Sequence, residues 1–169
     1  SWAIAGSPVV PGASISIAPP DPEGLPALSD IDPAITSGTL DNGLQYFIRR
    51  NDNPGARVEM RLSIDAGSAL QTPDQGGGAL FLEHMLFNGT EQFPENELVA
   101  VLRSFGASFG ADINAYTSYD ETVYQLTMPT ADPSIVSTGL DVLQQWLSAA
   151  TIDGDQVVAE RGVVLDEWR

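Results

Sequence analysis

Hydrophobic and polar residues change rhythm several times along this chain, and each change marks an element. Val58, Met60, Leu62 and Ile64 alternate with Glu59, Arg61, Ser63 and Asp65, the period of two that predicts a strand with one buried face. Before it, two β-like runs within Gly38 to Ile48 flank Asp41-Asn42-Gly43, a hairpin-turn signal because Asn and Gly tolerate positive φ. Ala79 to Phe87 is apolar and free of β-branched residues, which favours a helix, and Asn88-Gly89 supplies its stop. Leu98, Val101, Leu102 and Phe105 recur at helical spacing within Pro94 to Phe105, with Gly106 as terminator. Asn114 to Met128 reads as one or two strands, Val123, Gln125 and Thr127 alternating with Tyr124, Leu126 and Met128. Ser134 to Ala150 is an amphipathic helix built on Ile135, Leu140, Val142, Leu143, Trp146 and Leu147, and Asp153 to Arg169 is another, with Asp153 as candidate N-cap. Hairpin, strand, two helices, strands and two helices describe an α+β domain, a largely antiparallel sheet with helices packed on one face.

The first 34 residues differ. They hold seven of the twelve Pro, four acids and no base, so they lack helix formers and any periodicity that could be buried, and they read as a Pro-rich acidic tail or linker. Residues 35–169 then form the domain. The tail is either a spacer behind an export signal or lipid anchor or an ordinary flexible terminus. No run approaches the roughly 20 apolar residues of a membrane span.

Composition narrows the function. Seven basic residues, all Arg, face 23 acidic ones for a net charge of −16, which argues against nucleic acid or an anionic membrane as partner, since both demand a basic patch. With no Cys, thiolate nucleophiles, disulfides and Cys-based zinc sites are excluded. The single His is His84. A Ser-His-Asp triad would have to use it, and a site with two His ligands cannot be built from this chain by itself.

His84 lies in the most informative stretch, Gly76-Gly77-Gly78-Ala79-Leu80-Phe81-Leu82-Glu83-His84-Met85-Leu86-Phe87-Asn88-Gly89-Thr90. The glycines are not a phosphate loop, because neither a P-loop Lys nor a dinucleotide fingerprint accompanies them. On a helix, positions 80, 83 and 84 share a face, so Glu83 and His84 present a carboxylate and an imidazole together. A zinc hydrolase needs an imidazole on the metal and a carboxylate beside the metal-bound water. Taken alone, such a pair on an apolar helix is more often structural.

The stretch resembles the inverted zinc motif, H-x-x-E-H, of the pitrilysin/insulinase metallopeptidases, the family that also contains the mitochondrial processing peptidase. Ordered matches extend the likeness from Ile35 to Arg169: Thr39-Leu40-Asp41-Asn42-Gly43-Leu44, Ala66-Gly67-Ser68, Met85 to Thr90, Asn114-Ala115-Tyr116-Thr117 and Glu160-Arg161-Gly162-Val163-Val164-Leu165-Asp166-Glu167. The resemblance implies the N-terminal domain fold of the processing-peptidase type. It implies zinc as cofactor, Glu83 as the general base that activates the zinc-bound water, and His84 and Glu167 as metal ligands. Glu160, two helical turns before Glu167, corresponds to a second carboxylate supporting the site. Asn114 and Ala115 fall on the edge strand that in this family pairs with an extended peptide or unfolded polypeptide. A second peptidase-like domain or subunit is the implied partner, and export to the periplasm or cell exterior the implied location.

Two departures qualify the resemblance. Leu80 stands where the family has its first His, so of three protein ligands two remain. One expectation is therefore a zinc metalloendopeptidase homologue with weak or absent chemistry. The other is a non-catalytic, pseudoenzyme-like peptide binder or inactive partner subunit. The chain also ends two residues after Glu167, where the family domain continues into further sheet and a second domain supplies an Arg and a Tyr to the substrate carbonyl. The expectation is a domain cut short at its C-terminal end, with apolar surface and a sheet edge left uncovered.

Overall fold

Asp41-Asn42-Gly43 turns the chain between β1 (Ile35–Thr39) and β2 (Gln45–Arg49). The strands pair antiparallel, Ile35 opposite Arg49 and Thr39 opposite Gln45. Gly43 takes φ +89°, while the Asn42 carboxamide oxygen accepts from the Leu44 N–H at 3.1 Å, so both turn residues perform the roles their chemistry allows. The computed structural model describes residues 32–53, 55–94 and 97–167. They fall into two compact units, one ending at Arg50 and the other beginning at Asn51. Residues 1–31 of the expected tail, and Trp168, lie outside the described residues.

In the second unit β3 (Arg57–Ile64), β4 (Ile113–Thr117) and β5 (Thr122–Pro129) form an antiparallel sheet in the order β3-β5-β4. The Asn114 to Met128 stretch is thus two strands, parted by a turn in which the Ser118 hydroxyl oxygen accepts from the Glu121 N–H. Register places Met60 opposite Leu126 and Leu62 opposite Tyr124, with Ile113 and Ala115 opposite those same two residues from the other side. The period of two therefore delivers one continuous apolar face. Glu59, Arg61, Ser63 and Tyr116 occupy the other, exposed face.

Four helices follow the sequence pattern: α1 (Gly78–Asn88), α2 (Glu97–Ser104), α3 (Pro133–Ser148) and α4 (Gly154–Glu167). Helix α2 stops where Gly106 adopts φ +86°. Helix α3 ends at Ser148, before the expected Ala150, because Ala150 is drawn into a β-bridge with Thr90. Asp153 caps α4, its carboxylate accepting from the N–H groups of Asp155 and Gln156. Leu98 and Leu102 of α2, Val142 and Trp146 of α3, and Met60, Ile113, Tyr124, Leu126 and Met128 of the sheet make the core. Helix α1 is apolar nearly all round, which suits a helix buried on several sides. Its rear is tied down where the Trp146 indole N–H donates to the Leu86 carbonyl at 3.0 Å and Phe87 meets the Trp146 ring edge-on at 5.1 Å.

The end of β3 is locked to the β4–β5 turn through Gly67. Ser68 and Ala69 N–H groups donate to the carbonyls of Ser118 and Tyr119 at 3.0 and 2.7 Å. A Cβ on Gly67 would sit 2.5 Å from the Ser118 carbonyl oxygen, so glycine is required by close approach and not by its dihedrals. Gly162, inside α4, has nothing within 4 Å of the same point. Gly67→Ala is expected to lower the unfolding free energy by about 1–3 kcal/mol, and Gly162→Ala to raise it by about 0.5–1 kcal/mol. Urea melts compare the two, and equal effects would contradict this account of Gly67.

Candidate active site

Helix α1 carries a buried carboxylate, Glu83, and a half-buried imidazole, His84, and each finds a partner. His84 is held between two carboxylates of α4. Its Nδ1 lies 2.9 Å from Glu160 Oε1 and its Nε2 lies 3.1 Å from Glu167 Oε2. The seven-residue spacing of the glutamates puts both on the α4 side that faces α1, as two helical turns require. Asn88, four residues after His84 on the same face, donates to the second Glu160 oxygen at 3.3 Å. Glu160 is thus satisfied at both oxygens and orients the imidazole, while Glu167, with 58% of its side chain exposed, remains open to solvent.

Glu83 turns the other way, toward the sheet. It is buried, and its Oε2 accepts from the Thr117 hydroxyl at the end of β4. Burial pushes its pKa above the ordinary glutamate value, an effect that the Thr117 hydrogen bond and the positive charge of His84 oppose and the negative charge of Glu167 reinforces. Below it, burial chiefly, and the Glu83 charge secondarily, raise the Tyr124 hydroxyl far above the usual phenol value, so Tyr124 stays a neutral phenol.

A cavity of about 770 Å³ brings these groups together. Glu83, His84, Phe87 and Asn88 line it from α1, and Glu160, Val163 and Glu167 from α4. Asn114 and Ala115 line it from β4, and Val99, Ala100 and Arg103 from α2. All the residues singled out in the sequence lie here except Leu80, which lines a separate hollow of about 430 Å³ with Val157, Arg161 and Val164 of α4. Strand β4 is an edge of the described sheet, and the Ala115 N–H donates to the Asn114 side chain at 2.9 Å.

The donors do not fit a zinc held by three protein ligands. His84 Nε2 and Glu167 Oε2 make two, Glu83 is engaged with Thr117, and Leu80 has no donor atom. Among the described residues no group of three or more His, Cys, Asp and Glu side chains is set to hold a metal ion.

Asn88, Thr117 and Arg103 receive no site role from the sequence. Asn88 and Thr117 fall within stretches that match the family, yet the groups they bond, Glu160 and Glu83, come from distant parts of the chain. Arg103, which lines the cavity from α2, carries no local mark.

Known proteins share the family and the fold. The sequence model of the family described as Insulinase (Peptidase family M16) matches residues 46–169. The probable zinc protease PqqL of Escherichia coli is 40% identical over 161 residues, covering 95% of this chain and 16% of that protein. The crystal structure of the first half of the periplasmic protease PqqL from Escherichia coli superposes with a TM-score of 0.79 at 43% identity, over 82% of this chain and 30% of that one. The mitochondrial-processing peptidase subunit beta of Bos taurus is 35% identical over 131 residues, 77% of this chain and 25% of that protein. The chain therefore spans well under half the length of each of these relatives.

Because the folded chain tolerates the Glu83 anion less well than the unfolded chain does, this residue favours folding below the ordinary glutamate pKa. That contribution drains away as pH rises through the ordinary value and past the higher folded one. Glu83→Gln is expected to gain stability relative to the unmodified chain as pH rises from below the ordinary glutamate value through it and beyond, measured by urea melts over a pH series. Thr117→Val is expected to move the Glu83 titration further upward in carboxyl-carbon NMR of metal-free protein. A downward movement would contradict the assigned hydrogen bond.

Proposed function

This chain belongs to the insulinase family of peptidases, M16, and on that footing we propose that it holds an extended peptide along the outer edge of β4 beyond Ile113, whose own backbone groups are taken by Ser108 and Gly110, without hydrolysing it by its own ligand set. The observation that carries this reading is the placing of Asn114 and Ala115, on an edge strand, in the wall of the cavity that holds Glu83, His84, Glu160 and Glu167. A peptide added to β4 would exchange main-chain hydrogen bonds with it, the Ala115 N–H leaving the Asn114 side chain for a peptide carbonyl. The cavity volume is within the range of small-ligand and side-chain pockets. In this reading Glu83 occupies the place of a general base, Glu160 orients His84, and His84 with Glu167 forms an incomplete metal set.

Zinc enters through kinship, since the bacterial relatives are named as zinc proteases. Leu80 supports the non-catalytic form of the reading, a peptide-binding domain or a subunit paired with an active one, and one relative is itself named as a subunit. Export belongs to the same proposal and is supported by the periplasmic description of PqqL. Residues 1–34 would then act as a spacer ahead of the peptidase-like part that begins at residue 35.

Leu80→His puts a second imidazole one turn before His84 on α1. Metal analysis is expected to rise from well below one to about one zinc per chain, and chelator-sensitive cleavage of an unstructured peptide to appear with it. Stoichiometric zinc and robust cleavage by the unmodified protein, or failure of the unmodified protein to bind any extended peptide, would overturn the reading.

A further inference from the structure

Five ionisable residues line the cavity, and four of them are engaged: Glu83 by Thr117, His84 by Glu160 and Glu167, and those two glutamates by His84. The fifth is Arg103, in the last turn of α2. It is exposed, and among the described residues no carboxylate lies within ion-pair distance of it. The cavity therefore has two chemically different walls. The α1 and α4 side is acidic and internally satisfied, whereas the α2 side offers Val99, Ala100 and a guanidinium with its donors unspent. Beside them Phe109, 52% exposed, stands edge-on to Phe87 at 5.4 Å, an aromatic surface against which the methylenes of a side chain can pack.

We propose that Arg103 makes the α2 wall a subsite for an acidic side chain of a bound extended peptide. The proposal rests on the peptide-binding reading above. An extended peptide paired with β4 sends every second side chain to the same side, so the cavity samples alternate positions of the peptide. A carboxylate arriving at α2 would meet Arg103 in a charge-assisted, bidentate pair, which no other cation among the described lining residues can offer. The long-range field works against this preference. A net charge of −16 repels acidic peptides, so any preference for them must come from a local contact. A purely structural role for Arg103, complementing the C-terminal end of the α2 dipole, would leave affinity indifferent to peptide charge.

The test is fluorescence anisotropy of the intact protein with labelled, C-terminally amidated peptides, neutral except for one Glu walked through the central positions, each paired with its Gln counterpart. Salt near 0.15 M limits the general repulsion to about 8 Å. At one register the unmodified protein is expected to bind the Glu peptide about tenfold more tightly than the Gln peptide. Arg103→Gln should erase that ratio while leaving Gln-peptide affinity within about twofold. Arg103→Glu should reverse it, with circular dichroism verifying that both variants are folded. Absence of a Glu preference at every register, a preference that survives Arg103→Gln, or a larger gain from a free C-terminal carboxylate than from the internal Glu would overturn the proposal. Binding of the Gln peptides with no Glu preference defeats only the assignment of Arg103. Failure to bind any of the peptides defeats peptide holding itself, and this subsite with it.

Discussion

An apolar helix that carries a carboxylate and an imidazole on consecutive residues imposes the constraint from which the second unit of this chain follows. Burying α1 against the sheet and α3 withdraws Glu83 from water and His84 in part, and an unpaired polar group at the buried position would cost several kcal/mol. The structure meets the demand from two directions. Thr117, at the end of β4, satisfies Glu83, while Glu160 and Glu167 of α4 bracket His84. Consecutive residues on a helix point about 100° apart, so Glu83 and His84 must be served by different elements, and the helix becomes the junction between the sheet and α4.

The same junction sets the character of the cavity. Two carboxylates bracket one imidazole and a third lies beside it on the sheet side, in a chain that already carries an excess of acid, and each is held by a specific donor rather than by a general balance of charge. What remains unclaimed among the described residues is at the margins: the outer edge of β4 beyond Ile113, and Arg103 across on α2. The chain belongs to the insulinase family, and at position 80, one turn before His84, it carries a Leu that offers no donor to a metal.

Most of the fold is visible in the order of residue types. Alternation from Val58 to Ile64, the Asp41-Asn42-Gly43 turn, the Gly106 stop and the Asp153 cap all work over a few residues, and all recur in the structure. The split between β4 and β5 was less visible, because the apolar alternation runs on either side of a turn made by Ser118 and Glu121 without a glycine at its centre. Glu83 and His84 were legible for the same local reason, being adjacent on an apolar helix, whereas Glu160 and Glu167 stood out only through the family resemblance, since alone they read as solvated helix residues.

By itself the sequence determined the elements, the apolar face of the sheet, the scarcity of imidazole and the lack of a donor at position 80. Those properties follow from backbone geometry and side-chain chemistry that act within one or two turns. Tertiary structure alone decided the partners. Residues 84 and 160 are 76 positions apart, and 83 and 117 are 34 apart, so no local pattern marks which carboxylate orients the imidazole or which hydroxyl holds the buried glutamate. The same holds for Arg103, whose lack of a partner among the described residues depends on every neighbouring element that could have supplied one.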